Sequence, residues 1–93
     1  DIRAMTDEIK LKYKKFALVF GSVNSGKVTL ISRVSEQLLH LVSANEVLKT
    51  TAEIVGGKGG GRPDFAQAGG NDPEKLNLAL EKAEKYFYEK LGD

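Results

Sequence analysis

The sequence predicts an α/β (α+β) domain with a small sheet that is built on an antiparallel hairpin and covered by helices. Residues 16–20 and 28–34 are short apolar runs, rich in β-branched or aromatic side chains, and both are typical of strands. Between them, residues 21–26 contain two glycines, two serines and an asparagine, which tolerate the backbone angles of a turn. The simplest connection of two such strands is an antiparallel hairpin.

Three amphipathic segments predict the helices around this hairpin. In residues 1–14, Ile2, Met5, Ile9 and Tyr13 recur at spacings of three and four, the apolar stripe of a helix. The second helix is predicted over residues 44–55, and the third over residues 73–91.

Local signals mark where the second helix begins and ends. Ser43 and Glu46 have the spacing of a capping box, in which each side chain binds a backbone N–H. Gly56 can adopt the left-handed conformation that ends a helix. One face of this helix is expected to be buried, and its residues are Val47, Leu48, Ala52 and Val55.

The last third of the chain predicts a short strand and a long helix. Residues 65–68 form a strand between proline and glycine, and Asp72 before Pro73 predicts a helix start with a side-chain cap. The predicted core stripe of this helix comprises Leu76, Leu80, Ala83 and Phe87. A short helical turn is also predicted at residues 36–40.

Composition restricts the class of protein. The chain has 93 residues, 41% hydrophobic and 29% charged, which fits one small soluble domain. No apolar run approaches the roughly 20 residues of a membrane span, and no signal peptide is evident, so no membrane partner and a cytoplasmic location are expected. The absence of cysteine fits this location and excludes disulfides, thiol catalysis and thiolate zinc sites.

The charge is unevenly distributed although the net charge is only +1. No acidic residue occurs between Ile9 and Ser35. A local basic surface attracts phosphate backbones, but it is also compatible with a solvated lysine face. The cations of this stretch are Lys10, Lys12, Lys14, Lys15, Lys27 and Arg33.

Residues 21–27, GSVNSGK, approach the phosphate-binding pattern G-x-x-x-x-G-K-[ST] without completing it. Val28 stands where a hydroxyl must reach magnesium, and the following residues predict a strand, whereas the phosphate-binding loop requires a helix there. The stretch is therefore interpreted as a hairpin turn.

The run GGKGGGRP at residues 56–63 is the densest glycine cluster in the chain. Each glycine costs backbone entropy on folding, so such density requires a reason. Bare N–H groups can form an anion-binding concavity, or the backbone must pass close to a neighbouring element. Lys58 and Arg62 favour the first explanation, since arginine can bind a phosphate with two hydrogen bonds, but both explanations stay open.

Other residues with chemical potential have ordinary explanations. His40, the only histidine, has no neighbours in the sequence that indicate a metal site or charge relay. Asp64 and Asp72 suit a turn and a helix cap. Phe65 and Tyr88 are candidates for stacking on bases. The residues predict no catalytic group and no metal ligand.

The string GGKGGGRPDFAQAGG, residues 56–70, with NDPEK after it, resembles the signature of the C-terminal (C-Ala, DHHA1-type) globular domain of alanyl-tRNA synthetases. The resemblance extends back through the hairpin and covers most of the chain after Lys15. It implies a DHHA1-like globular domain over residues 15–93, with residues 1–14 as the tail of a preceding helical subdomain.

The resemblance implies a non-catalytic domain that contacts the outer corner of an alanine-specific tRNA and helps the aminoacylation and editing sites act on one tRNA. ATP, magnesium and zinc would serve other domains of the parent enzyme, with no cofactor here. Dimerisation through the helical subdomain occurs in some members. Related DHH-type phosphoesterases usually have histidine where this chain has Arg62, and this difference favours the synthetase branch.

The predicted tRNA-binding residues combine the glycine-rich run with the basic stretch. Two alternatives stay open: an accessory substrate-binding domain of a DHH-family phosphoesterase, and a dimerisation module. The predicted RNA contacts are Lys58, Arg62, Gly59, Gly60, Gly61, Lys27, Lys12, Lys14 and Lys15.

Overall fold

A computed structural model describes residues 2–12 and 15–92. Within these residues lie three α-helices, two 3₁₀ turns and four strands. In chain order they are α1 (Ile2–Lys12), β1 (Ala17–Asn24), β2 (Lys27–Val34), a 3₁₀ turn (Glu36–Leu38), α2 (Ala44–Ile54), β3 (Lys58–Gly61), β4 (Phe65–Gly70), a second 3₁₀ turn (Pro73–Lys75) and α3 (Leu76–Leu91). Along these described residues, no helix has the length and apolar character needed to cross a membrane.

The strands form one antiparallel sheet in the order β1-β2-β4-β3. The predicted hairpin is confirmed, with Ala17 opposite Val34 at its open end. Its turn is shorter than predicted, because β1 continues to Asn24 and only two residues connect the strands. Ser25 and Gly26 both have positive φ, 53° and 78°, which matches the twist of a tight hairpin.

The glycine-rich run contains a strand and is not a loop. Residues Lys58–Gly61 form the edge strand β3, which pairs with β4 from Lys58 opposite Gly69 to Gly61 opposite Ala66. Glycine has a low strand propensity, so sequence pattern gives no strand signal here. The predicted strand over residues 65–68 is confirmed within β4.

One face of the sheet is covered by α2 and α3. The register places Val28, Leu30 and Val34 of β2 on this face together with Ala66 and Ala68 of β4, and all five are buried. The four residues predicted to form the buried face of α2 are also fully buried against this core. The α+β class with helices packed on a small sheet is therefore confirmed.

The ends of the helices differ in how well they follow the sequence signals. The Ser43 hydroxyl accepts a hydrogen bond from the Glu46 backbone N–H at 3.2 Å, as a cap should, and Gly56 has φ 73°. The Glu46 carboxylate accepts a hydrogen bond from the Tyr86 hydroxyl at 2.9 Å and thereby joins α2 to α3.

The predicted side-chain cap at Asp72 is wrong. Its carboxylate makes no capping hydrogen bond and instead lies 3.9 Å from the Lys75 ammonium. The residues after it form a 3₁₀ turn, so α3 begins at Leu76. The predicted stripe of α3 is confirmed, with Ala83 buried and its three larger members packed against the core.

Helix α1 lies on the other face of the sheet. Its Asp7 is paired with Arg33 of β2, and Arg33 belongs to the face that α2 and α3 leave uncovered. The predicted apolar stripe of this helix is only partly covered, since Met5 is 50% exposed. Tyr13 of that stripe lies outside the described residues.

Candidate nucleic-acid interface

The sheet surface turned away from α2 and α3 is called the open face here. Because side chains alternate along a strand, every second residue of each strand belongs to it. The register aligns Lys58 with Gly69 and Thr29, and Gly60 with Gln67 and Ile31. The open face comprises Leu18, Phe20, Ser22, Asn24, Lys27, Thr29, Ile31, Arg33, Lys58, Gly60, Phe65, Gln67 and Gly69. It is not exposed throughout, since Ile31 in its middle is only 2% exposed.

Two predicted RNA contacts, Lys27 and Lys58, belong to this face and are exposed. Strand spacing and rise place their Cα atoms about 12 Å apart, two strands across and two residues along. Their ammonium groups and the flat surface between them can engage a phosphate backbone by charge, without reading its sequence.

Two glycines of the open face, Gly60 and Gly69, have room for a side chain. A Cβ atom placed on Gly60 would meet no other atom within 4 Å, and one on Gly69 would come only as near as 3.7 Å to the Val28 carbonyl oxygen. Neither glycine has a positive φ. Local packing and backbone conformation therefore do not require glycine at Gly60 or Gly69.

Other glycines of the run are required by close packing. A Cβ on Gly57 would collide with the carbonyl group of Gly69, and a Cβ on Gly59 would lie 2.5 Å from the Cβ of Ala68. Gly61 has φ 148°. Of the two explanations for the glycine density, close passage of the backbone beside a neighbouring element holds at these positions.

The anion-binding concavity, the other explanation left open for the glycine run, is not formed. Arg62 N–H donates to the Phe65 carbonyl oxygen at 2.8 Å, so the ladder of alternating hydrogen bonds continues to the end of β3. Successive N–H groups of a strand point in opposite directions. Gly59, Gly60 and Gly61 therefore do not direct their donors at one point.

Arg62 lies in the connection between β3 and β4, at the end of the open face. Its side chain is 74% exposed, and its Nε atom lies 3.3 Å from Asp64 Oδ1. The Pro63 carbonyl of the same connection accepts a hydrogen bond from Ala44 N–H at 2.7 Å, which ties it to the start of α2. The guanidinium is thus available to a ligand but has a carboxylate beside it.

Three predicted lysines precede the sheet. Lys12 ends α1, and only its backbone is described; Lys14 lies outside the described residues. Lys15 is exposed just before β1.

Arg33 and Arg3 are two cations that sequence reasoning did not include among the RNA contacts. The Arg33 guanidinium lies 4.7 Å from the centre of the Phe65 ring, and that of Arg3 lies 5.1 Å from it. Arg33 also donates to Asp7, and its side chain is only 13% exposed. Phe65, predicted as a stacking residue, is thus engaged by arginines. The alternation of β2 places Arg33 on the open face, but its partners depend on the path of α1.

The other sequence features that were considered as candidates for function have ordinary positions in the structure. The stretch GSVNSGK is the hairpin itself, with strand on both sides of its turn. His40 is exposed, and Tyr88 is exposed on α3, away from the open face. In the described part of the chain, no cluster of three or more acidic, histidine or cysteine side chains could hold a metal ion.

A four-stranded antiparallel sheet with α2 and α3 on one face and α1 on the other is thus the fold of a chain whose sequence matches the DHHA1 domain. The sequence model of that family matches residues 1–89. The chain belongs to the DHHA1 domain family.

Individual relatives of this chain are more specific than the family match. The chain is 43% identical over 91 residues to an alanine–tRNA ligase of Colwellia psychrerythraea and 44% identical over 90 residues to that of Ralstonia nicotianae. These alignments cover 98% and 97% of the chain but 10% of each ligase. The alanine–tRNA ligase of Dechloromonas aromatica is 51% identical over 79 residues, 85% of the chain and 9% of that ligase.

A solved structure has the same fold. The C-Ala domain of Aquifex aeolicus alanyl-tRNA synthetase superposes with a TM-score of 0.81 at 30% sequence identity, over 90% of this chain and 76% of that one. The chain therefore spans about a tenth of the curated ligases that it matches and most of this separate domain.

Proposed function

We propose that this chain is the C-terminal tRNA-binding domain of an alanine–tRNA ligase. The observation that carries the proposal is its alignment, over nearly its whole length, with a tenth of such ligases, together with its structural similarity to a C-Ala domain. In this role the domain holds the outer corner of alanine-specific tRNA and helps the aminoacylation and editing sites act on one tRNA molecule.

The open face is the surface proposed to meet the RNA. Lys27 and Lys58 supply charge at separate points; Gly69 leaves bare backbone on the strand between them, and Gly60 does so next to Lys58. RNA can approach the backbone closely at these two glycines, because neither carries a side chain. Recognition then depends on phosphate positions and on the shape of the folded RNA, with little reading of base sequence.

Arg62 and the lysines before the sheet extend this surface at one end, where β1 begins and β3 ends. A phosphate that approaches Arg62 must compete with Asp64, so its contribution is smaller than that of an unpaired arginine. Gly59 and Gly61 belong to the edge strand and contribute through their backbone. Lys12, Lys14 and Lys15 are proposed as outlying phosphate contacts near the chain segment that joins α1 to β1.

The proposal assigns no catalytic role to this domain. Alanine activation with ATP and magnesium, and zinc-dependent editing, belong to other domains of the ligase, and the location is cytoplasmic. Residues 1–14 are proposed as the tail of a helical subdomain that precedes the globular domain of residues 15–93. Dimerisation would use that subdomain, and the exposed Met5 and Leu11 of α1 favour an apolar partner there.

A titration at several salt concentrations tests the RNA-binding proposal. Labelled alanine tRNA and a single-stranded DNA of equal charge are titrated with the wild-type chain and with a Lys58→Ala, Arg62→Ala double variant. The tRNA affinity should fall with salt, and the double variant should reduce the slope of log K against log salt by about 1 to 2.

The control is a Lys82→Ala, Lys85→Ala double variant, which removes the same charge from exposed positions on α3. It should leave the slope close to that of the wild type. If both double variants weaken tRNA binding equally, the effect is one of net charge and the open face is not the site. A preference for single-stranded DNA would support a phosphoesterase accessory domain, and a concentration-dependent mass in sedimentation would support a dimerisation module.

A further inference from the structure

A pocket of about 320 Å³ lies beyond the open face, where α1, the end of β2 and the β3–β4 connection meet. This volume is at the lower end of the range for small-molecule sites. It fits one ring system and is too small for a folded peptide segment. Its lining includes Phe16, Arg33, Glu36, Gln37, Arg62 and Phe65.

One part of the lining is apolar and held in place. Phe65 is fixed by the Arg33 guanidinium over its ring, and Arg33 is held in turn by Asp7. Phe16 is anchored through its backbone N–H, which donates to the Ser35 hydroxyl at 3.0 Å. Aromatic rings and arginine guanidinium groups are the surfaces on which unpaired bases stack.

The other part of the lining carries both donors and acceptors. Arg33 and Arg62 bring two positive charges, and Glu36 and Asp64 bring two negative charges. Gln37 adds an amide that both donates and accepts. Because the carboxylates repel anions, this balance disfavours a phosphate group and favours a neutral ligand with donors and acceptors on its edge.

We propose that this pocket receives one unpaired nucleobase of the bound RNA. The inference rests on the proposed function, since Arg62 both ends the open face and lines the pocket. The base enters beside Phe65 and Phe16. Its N–H groups donate to Glu36, its ring nitrogens and oxygens accept from Arg62, and Gln37 completes the polar edge.

Nucleosides test the pocket without involving the phosphate surface. The four ribonucleosides, ribose and inorganic phosphate are each titrated into the ¹⁵N-labelled chain, and amide and arginine Nε–H resonances are followed. Nucleosides should shift the signals of Phe16, Ser35 and Gln37, with a dissociation constant on the order of 1 mM. Ribose should leave these signals unchanged.

Variants on the exposed 3₁₀ turn separate recognition from folding. Gln37→Ala and Glu36→Gln should each weaken nucleoside binding about threefold to tenfold, the effect of one hydrogen bond. The matched control is Asn77→Ala, which removes an exposed amide side chain from α3, away from the pocket, and should bind nucleosides like the wild type. Unchanged melting temperatures would show that the variants are folded.

Two results overturn the inference: nucleosides that leave the pocket signals unmoved, or phosphate that moves them more strongly than any nucleoside. If tRNA binding is salt-dependent but nucleosides cause no response, the pocket does not bind a nucleobase, and the proposed function stands. Nucleoside binding without measurable tRNA affinity would refute the proposed function and leave the pocket in place.

Discussion

Gly59 and Gly60 are neighbours in β3, yet their surroundings differ completely. Gly59 faces the core, where the Cβ of Ala68 leaves no room for a side chain. Gly60 faces outward, and nothing lies within 4 Å of the position that a Cβ would occupy. The first glycine serves the fold, whereas the second keeps the open face bare. A run of glycines in a sequence therefore combines residues with different physical roles.

Alanine substitutions at these two positions should separate packing from RNA binding. Gly59→Ala should destabilise the domain by about 1–3 kcal/mol, because the added methyl group overpacks the contact with Ala68. Gly60→Ala should leave stability unchanged or raise it by up to about 1 kcal/mol, since alanine has less freedom in the unfolded chain. Urea unfolding gives both values.

The same two variants bear on the open face. Gly60→Ala should weaken tRNA binding severalfold at constant stability, because the methyl group stands between the RNA and the backbone. Gly59→Ala, measured where it remains folded, should bind like the wild type. Equal tRNA affinity of Gly60→Ala and wild type would contradict a close approach of RNA to β3.

At the scale of elements, one side-chain hydrogen bond joins the first turn of α2 to the C-terminal half of α3. The Tyr86 hydroxyl donates to the Glu46 carboxylate, which the capping signal had assigned to the backbone of Ser43. Burial raises the pKa of Tyr86 above its ordinary value of 10.0, and the hydrogen bond to Glu46 and its charge act in the same direction. A hydrogen bond with the Ser43 backbone lowers this pKa in part.

Tyr86→Phe should destabilise the domain by about 1 kcal/mol at neutral pH through the loss of this hydrogen bond. The unfolded chain loses the tyrosine proton near pH 10, and the folded chain loses it at higher pH. The contribution of this hydrogen bond to the free energy of unfolding is therefore complete below pH 10 and disappears as pH rises through the folded-state pKa of Tyr86. The difference in free energy of unfolding between wild type and variant should therefore shrink as the pH rises above 10.

Chemical denaturation at a series of pH values from 7 to about 11 measures this effect. Tyr88→Phe is the matched control, because Tyr88 is exposed on the same helix. Within residues 2–12 and 15–92, its hydroxyl makes no side-chain hydrogen bond. Its stability should follow that of the wild type at every pH. A Tyr86→Phe deficit that persists unchanged above the folded-state pKa would contradict the protonation argument.

Elements differ in how far their sequences specify them. The hairpin could be predicted because two apolar runs flank turn residues within one short segment, and α2 because its periodicity agrees with its cap. β3 could not, since Lys58–Gly61 has no apolar side chain and is a strand only through its pairing with β4. Tertiary pairing there overrides local propensity.

The candidate site shows the same division at the scale of the whole molecule. Lys27 and Lys58 were predicted from charge and glycine density, but only the register shows that they share a face. The cluster of Arg33, Asp7 and Phe65 was not predicted, because it joins α1, β2 and β4 across distant parts of the chain. Residue types can be read locally, whereas their convergence depends on topology.

Leu30 lies at the centre of this topology, on the core face of β2 and fully buried beneath the helices. Leu30→Ala should cost about 2–5 kcal/mol, the sum of lost burial and a cavity in a closely packed site. A domain of this size has a total stability of roughly 5–14 kcal/mol, so the variant should lose a large fraction of it.

Leu78→Ala makes the same chemical change at a position that is 54% exposed on α3. Its effect should stay within about 0.5 kcal/mol, because little apolar surface is returned to water. Urea unfolding followed by circular dichroism compares the two variants, and the midpoint should move only for Leu30→Ala. If both midpoints moved equally, the core would not lie between β2 and the helices, and the open face would lose its distinction from the covered one.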